Sequence, residues 1–341
     1  MVAELPVSGH DDRGAFVTLS RRLSLERIAQ AASVIDPVFL DAPQFRAEAL
    51  EGLLGCRLVV KVETLNPIRS FKGRGTEYLA ATLGERPHLV CATAGNFGQG
   101  MAYSARKRGL ALTIFAALTA NPMKVERMRA LGGDVRLVGE DADAAWAAAE
   151  SFAAEHGARL VVDGRDVAIS EGAGTIGIEL LRRPEPFDAI LVPLGDGALL
   201  AGVARWVKAH RPAIRMIGVC ASGAPAMERS WRAGRVEEQG PTDTIADGIA
   251  LRAPFPEALA DLTGLVDDIV LVEDRVILEA MRRAHDELGV VLEPAGAAGL
   301  AALLGDRERF RGQMIGTILT GGNITIRQMR EWLANDEGKR P

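Results

Sequence analysis

One lysine stands out by its neighbours. Lys72 lies in Ser70-Phe71-Lys72-Gly73-Arg74-Gly75, between an aromatic ring and a glycine, after a predicted strand and before a predicted helix. It reads either as a solvent-facing lysine at a helix start or as a partly buried amine whose pKa is lowered so that it can form a Schiff base. Three glycine-rich segments could serve anions: Thr93-Ala94-Gly95-Asn96-Phe97-Gly98-Gln99-Gly100, Gly195-Asp196-Gly197-Ala198-Leu199 and Thr320-Gly321-Gly322-Asn323. Each follows a predicted strand, and the first two precede helices whose free N–H groups attract negative charge. Two anion-binding corners follow, one for a phosphate and one for a carboxylate. Gly195-Asp196-Gly197 also reads as half of a dinucleotide fingerprint. Leu200 stands where its third glycine belongs, and no P-loop lysine follows. A plain tight turn is the other reading of that segment.

The rest of the chain offers less chemistry. His10, His88, His156, His210 and His285 fall outside every such segment, and no Ser-His-Asp or zinc spacing is present. Cys56, Cys91 and Cys220 are odd in number and far apart, which excludes a disulfide framework and fits a reducing cytoplasm. The net charge of −5 argues against nucleic acid as a partner. No basic start and apolar run marks a signal peptide, and no run of about 18 apolar residues marks a membrane span.

The elements that must position these residues follow a βα rhythm. A helix is expected over Ser24 to Ala32, with Ser24 as its cap, after a flexible lead-in over residues 1–20. Strands are expected at Leu58 to Val62, Leu89 to Thr93, Ala111 to Phe115, Asp134 to Val138, Leu160 to Val162, Ala189 to Pro193, Met216 to Cys220, Ile269 to Val272 and Gly316 to Leu319. Helices alternate with them: Phe97 to Arg108, one opening at Asn121-Pro122, Ala142 to His156, Ala198 to His210, and Asp274 to Leu288. This alternation predicts a parallel α/β sheet, with ligands at the carboxyl ends of its strands. The chain has 341 residues, 37 of them glycine, an excess that points to tight turns and close backbone approach to a ligand.

Taken in order, the segments resemble the serine/threonine dehydratase family of pyridoxal-phosphate enzymes, with its tryptophan-synthase-β-like fold. Ser70-Phe71-Lys72-Gly73-Arg74-Gly75 is similar to the family's S-F-K-x-R-G, and Thr93-Ala94-Gly95-Asn96 to its S-S-G-N. Gly172-Ala173-Gly174-Thr175 resembles its G-Q-G-T helix start, and Gly195-Asp196-Gly197-Ala198-Leu199 its phosphate cup. Thr244-Ile245-Ala246-Asp247-Gly248, Glu293-Pro294-Ala295-Gly296-Ala297 and Thr320-Gly321-Gly322-Asn323 resemble its I-A-D-G, E-P-x-G/A and S-G-G-N segments.

The resemblance implies two open parallel-sheet αβα domains with pyridoxal 5′-phosphate in the cleft between them. Residues 1–75 plus 165–341 would form the larger domain, and 76–164 a smaller mobile one. Lys72 would bind the cofactor covalently and then act as base at the substrate Cα. Phe71 would pack on the ring, Asn96 would bond its 3-hydroxyl, and Thr320 would face its nitrogen. The amides of Gly195, Asp196, Gly197, Ala198 and Leu199 would hold the phosphate, with Glu293 a further cofactor contact. Thr93, Ala94, Gly95 and Asn96 would receive the substrate carboxylate, and Gly248 would pass close to its amine. A homodimer acting on a small amino acid, away from membranes, completes the implied picture.

Departures from the family pattern carry expectations of their own. Ala94 stands where racemising members carry a second serine, which disfavours racemisation. Phe97 replaces the common histidine. Asp196 puts a carboxylate in the phosphate cup, so its side chain is expected to point away. Cys220 stands where metal-binding members carry glutamate, so no metal is expected. Arg69 is read as a surface or domain-contact charge, with recognition of an acidic substrate as the alternative. The chain ends at Pro341, soon after the last motif, which suggests no regulatory domain and a catabolic or specialised role. β-Elimination of a β-hydroxy amino acid is the leading function. β- or γ-replacement, a catalytically silent binding protein and a nicotinamide-dependent dehydrogenase are the alternatives.

Overall fold

The computed structural model describes residues 21–84 and 86–334. The lead-in expected at residues 1–20 lies outside them. Ten strands form two sheets among the described residues: β1 (Gln44–Arg46), β2 (Arg57–Val62), β3 (Leu89–Ala92), β4 (Leu112–Ala116), β5 (Asp134–Leu137), β6 (Arg159–Leu160), β7 (Ala189–Pro193), β8 (Arg215–Ala221), β9 (Asp268–Val272) and β10 (Met314–Leu319). The larger sheet has the order β1-β2-β10-β7-β8-β9, and the smaller β5-β4-β3-β6. All neighbours run parallel except β1 and β2. The chain leaves the larger sheet after β2, builds the whole smaller sheet, and returns at β7. The expected fold class is thus the observed one.

The strands are where the apolar runs put them. β7 and β10 are buried at every position, as central parallel strands covered on both faces require. Local chemistry sets the helix ends. Ser24 accepts from the Arg27 N–H, Asn121 accepts from the Met123 N–H ahead of Pro122, and Gly109 and Gly157 close helices in the left-handed conformation. The Gly172-Ala173-Gly174-Thr175 segment does not start a helix, as its motif suggested. It lies inside Val167–Leu180, whose cap residue is Asp166.

That helix explains a group of glycines. Helices Lys72–Thr82, Val167–Leu180 and Ala198–His210 pack backbone to backbone. A Cβ on Gly75 would meet the Ile169 carbonyl oxygen at 2.5 Å, one on Gly172 the Arg74 oxygen at 2.5 Å, and one on Gly202 the Ser170 oxygen at 1.9 Å. Real Cβ atoms do not come so close, so the three helices reach this spacing only without side chains there.

Arg74 ties the same helices to the larger sheet. It is fully buried and uses every guanidinium N–H. Nε and Nη2 donate to the two Glu63 carboxylate oxygens at 2.9 and 2.8 Å. Nη1 and Nη2 donate to Glu179 at 2.6 and 2.9 Å, and Nη1 to Thr175 Oγ1 at 3.0 Å. Lys61 Nζ adds an ion pair to Glu179 at 2.5 Å. Two cations and two carboxylates therefore balance inside the protein. Burial alone would raise Glu179, but Arg74 and Lys61 outweigh it and hold the carboxyl down at about 2. No helix among the described residues is long and apolar enough to cross a membrane.

Candidate active site

A cavity of about 290 Å³ opens where the carboxyl ends of β2, β3, β6, β7 and β10 face one another. Nearly every residue singled out by motif lines it: Phe71, Lys72, Thr93, Ala94, Gly95, Asn96, Gly195, Asp196, Gly197, Leu199, Gly248, Glu293 and Thr320. Ala198 does not line the cavity; its N–H points to the Asp196 carboxylate. Arg69 is exposed and lines a separate apolar cleft with Phe45, Leu65 and Ile326, so it does not face this cavity. Phe97 does, from the first turn of helix Asn96–Arg108.

Lys72 begins its helix directly behind Phe71, whose N–H is fixed by the Thr320 carbonyl at 3.0 Å. Its amine lies 4.8 Å from the Phe71 ring centre. The amine is also held between two carboxylates, Asp163 at 2.6 Å and Asp196 at 2.9 Å. This reverses the expected direction of its pKa. Burial lowers it, but the two acids outweigh burial and raise the amine above the ordinary lysine value. The Asp196 side chain does not point away either. Its Oδ2 accepts from Lys72, and its Oδ1 accepts from the Ala198 N–H at 2.9 Å, capping the helix that ends the cup. The free N–H groups of that helix draw in the nearest anion, and here the nearest anion is Asp196.

Asp163, Lys124 and Asp247 are the charged cavity residues that motif reading assigned no role. Lys124 is buried and pairs with Asp247 at 2.5 Å, from the smaller sheet's helix Pro122–Ala130 to a turn of the larger unit. Glu293 receives the Asn96 amide on Oε1 at 2.5 Å, and Asn323 donates to Asn96 Oδ1 at 2.8 Å. Its other oxygen, Oε2, is buried without a partner. Burial pushes Glu293 up to about 7, with Lys124 opposing and Asp247 adding to the shift. A carboxyl whose folded pKa is raised prefers its proton in the folded state. Its contribution to stability is therefore present below about pH 4.5 and lost as pH rises toward 7. Glu293→Gln is expected to remove that slope. Its stability relative to the parent should grow by roughly 3 kcal/mol between pH 4.5 and 7, as a shift of this size implies. Urea unfolding across that range checks it, and parallel curves would refute it.

The same geometry suits a flat phosphorylated ligand. The cup narrows at Gly195, where a Cβ would meet Ile249 Cα at 3.0 Å, and Gly197 adopts φ +98°, which favours glycine. Cys220 Sγ donates to the Leu194 carbonyl at 3.3 Å, just before the cup. Among the described residues no three His, Cys, Asp or Glu side chains converge to hold a metal.

A family model described as pyridoxal-phosphate dependent enzyme matches residues 35–321. The chain belongs to that family. Its cofactor is pyridoxal 5′-phosphate, and the chain is a lyase of the serine/threonine dehydratase-like group. This pyridoxal-phosphate-dependent enzyme is 35% identical over 277 residues to an L-threonine ammonia-lyase of Geobacter sulfurreducens, covering 80% of this chain and 69% of that one. The structure of the processed form of threonine deaminase isoform 2 from Solanum lycopersicum is 30% identical with a TM-score of 0.83, covering 90% of this chain and 88% of that one. Maize serine racemase is 29% identical with a TM-score of 0.86, covering 91% and 96%. The cavity residues fit the cofactor: a lysine for its aldehyde, an aromatic face, and a cup of amides for its phosphate.

Proposed function

We propose that the enzyme catalyses β-elimination from a β-hydroxy amino acid such as threonine, serine or a bulkier analogue, giving a 2-oxo acid and ammonia. One observation supports elimination above racemisation. The loop that would receive the substrate carboxylate has no hydroxyl at position 94, and its one hydroxyl, on Thr93, is turned to the loop's own backbone. Ala94 presents a methyl, and Thr93 Oγ1 accepts from the Gly95 N–H at 3.2 Å.

In this reading the bound cofactor supplies the sink for the electron pair left at Cα. Lys72 would hold it through Nζ, and the same atom would take the proton from the substrate Cα. Phe71 would pack on the ring, and Asn96, Glu293 and Thr320 would be its polar contacts. The amides of Gly195 to Leu199 hold the phosphate. Backbone N–H groups of Thr93 to Asn96 orient the carboxylate, and Gly248 leaves room for the amine. Glu293, a cavity carboxyl that burial raises toward neutrality, is the proton source for the departing hydroxyl. A mobile unit over 76–164 would admit substrate, and the Lys124–Asp247 pair would draw it back. The proposed setting is a cytoplasmic homodimer; three buried, unpaired thiols support a reducing compartment.

The test is to follow L-threonine, L-serine, phenylserine and hydroxyaspartate by oxo-acid and ammonia release and by chiral chromatography. Oxo acid is expected to form without any added nucleophile and faster than the D-isomer appears. Faster formation of the D-isomer would make the enzyme a racemase, and a requirement for an added thiol or phosphate ester would make it a replacement enzyme.

A further inference from the structure

The cup already contains a carboxylate where its ligand must bring a phosphate. Asp196 Oδ1 takes the Ala198 N–H, one of the donors that the cup offers an anion. Oδ2 takes the Lys72 amine, which Asp163 shares at 2.6 Å. This cluster of two acids and one base carries a single net negative charge. Its second carboxyl, Asp163, has one buried oxygen, Oδ1, with no hydrogen-bond partner.

A phosphate dianion entering the cup must face Asp196 at close range. Attachment of a ligand to Lys72 would also remove the ammonium that the two acids share. The remaining charges offer no compensation. Lys124 is already paired with Asp247, and Glu293 faces the cavity from the helix Pro294–Gly305 side as another acid. From β3, Cys91 is buried and pushed up to about 12 by burial and by Asp163, so its thiol stays neutral. Two responses remain: the Asp196 side chain leaves the cup as a carboxylate, or the acid pair takes up a proton. The second keeps the cluster's hydrogen bonds, because a protonated carboxyl can donate where a carboxylate only accepts. Like charges held this close cannot all remain ionised.

We propose that Asp196 is a specificity-determining residue that couples phosphate binding to protonation: a phosphate entering the cup brings one proton onto the Asp163–Asp196 carboxyl pair. The chain therefore holds a phosphorylated ligand more tightly as pH falls. This rests on the assignment of Gly195 to Leu199 as the phosphate cup.

The experiment uses the full chain freed of cofactor and titrated with 4-deoxypyridoxine 5′-phosphate, which has no aldehyde and forms no bond to Lys72. Calorimetry in buffers of differing ionisation enthalpy, between pH 7 and 9, counts the protons taken up. The parent protein is expected to take up close to one, and its Kd to rise by up to about tenfold per pH unit. In Asp196→Gly, which restores an all-backbone cup, and in Asp196→Asn, the uptake is expected to vanish and Kd to become flat with pH. At pH 8 Asp196→Gly is expected to bind at least about tenfold tighter. Uptake that is equal in parent and variants, or absent from the parent while its affinity stays flat, overturns the inference but leaves the cup intact. If neither the parent nor either variant discriminates this ligand from 4-deoxypyridoxine without its phosphate, the cup assignment falls, and the inference with it.

Discussion

Lys72→Ala is expected to lower oxo-acid formation by on the order of 10⁴-fold or more, and to abolish borohydride-stable attachment of the cofactor. Both jobs are given to one atom. Lys72 Nζ is the amine that sits in the cavity between Asp163 and Asp196, against the Phe71 ring. Lys124, the other buried amine of the cavity, is paired to Asp247 on the opposite wall. The variant also leaves two acids facing each other without a cation. Removing one partner of a buried ion pair costs about 3–5 kcal/mol, an upper bound here because the acids can share a proton. A lower melting temperature with an unchanged circular dichroism spectrum is thus the accompanying result. A mass label on Lys72 after reduction, lost in the variant, ties the lost activity to attachment. Turnover that survives the substitution would place the base elsewhere.

The second large effect is expected far from the reacting atoms. Arg74→Met removes a guanidinium whose five N–H groups are all used, and it strands Glu63 and Glu179 inside the protein with Lys61 alone. The expected loss of stability is about 3–5 kcal/mol, read from urea unfolding. The triple replacement Arg74→Met, Glu63→Gln, Glu179→Gln should recover much of it, because no uncompensated charge remains. The sign with pH is fixed as well. Glu179 is depressed to about 2, so its contribution is present above the usual glutamate range and is lost as pH falls toward 2. The single variant should therefore lose less on acidification than the parent. Equal stability of variant and parent at neutral pH would refute the network's role.

What the sequence revealed followed from where local rules are strict. Helix boundaries at Ala142–His156 and Asp274–Leu288 were legible because the glycine stops Gly157 and Gly289 act within a few residues, and the start of Ala198–His210 because it follows a glycine turn. β1 was not, since three residues at a sheet edge show no period. Helix Val167–Leu180 was hidden by Gly172, Gly174 and Gly177, which lower helix propensity but are required by packing against Gly75, Gly202 and Val203. In the cavity, residues inside glycine-rich motifs were found. Asp163 was missed because it follows a two-residue strand, and Lys124 because it lies in a helix distant in sequence. The direction of the Lys72 pKa was misjudged for the same reason. Burial can be guessed from neighbours in the chain, whereas the carboxylates at Asp163 and Asp196 arrive only with the fold.

The glycine contacts among helices Lys72–Thr82, Val167–Leu180 and Ala198–His210 divide the chain into two kinds of position with respect to change. A methyl group at Gly75, Gly172 or Gly202 forces whole helices apart and moves the lysine relative to the cup. Ala94 and Asp196, which stand on the cavity wall, take no part in those three contacts. New substrates can thus be explored by altering the wall while the distance between the two reactive corners is inherited unchanged.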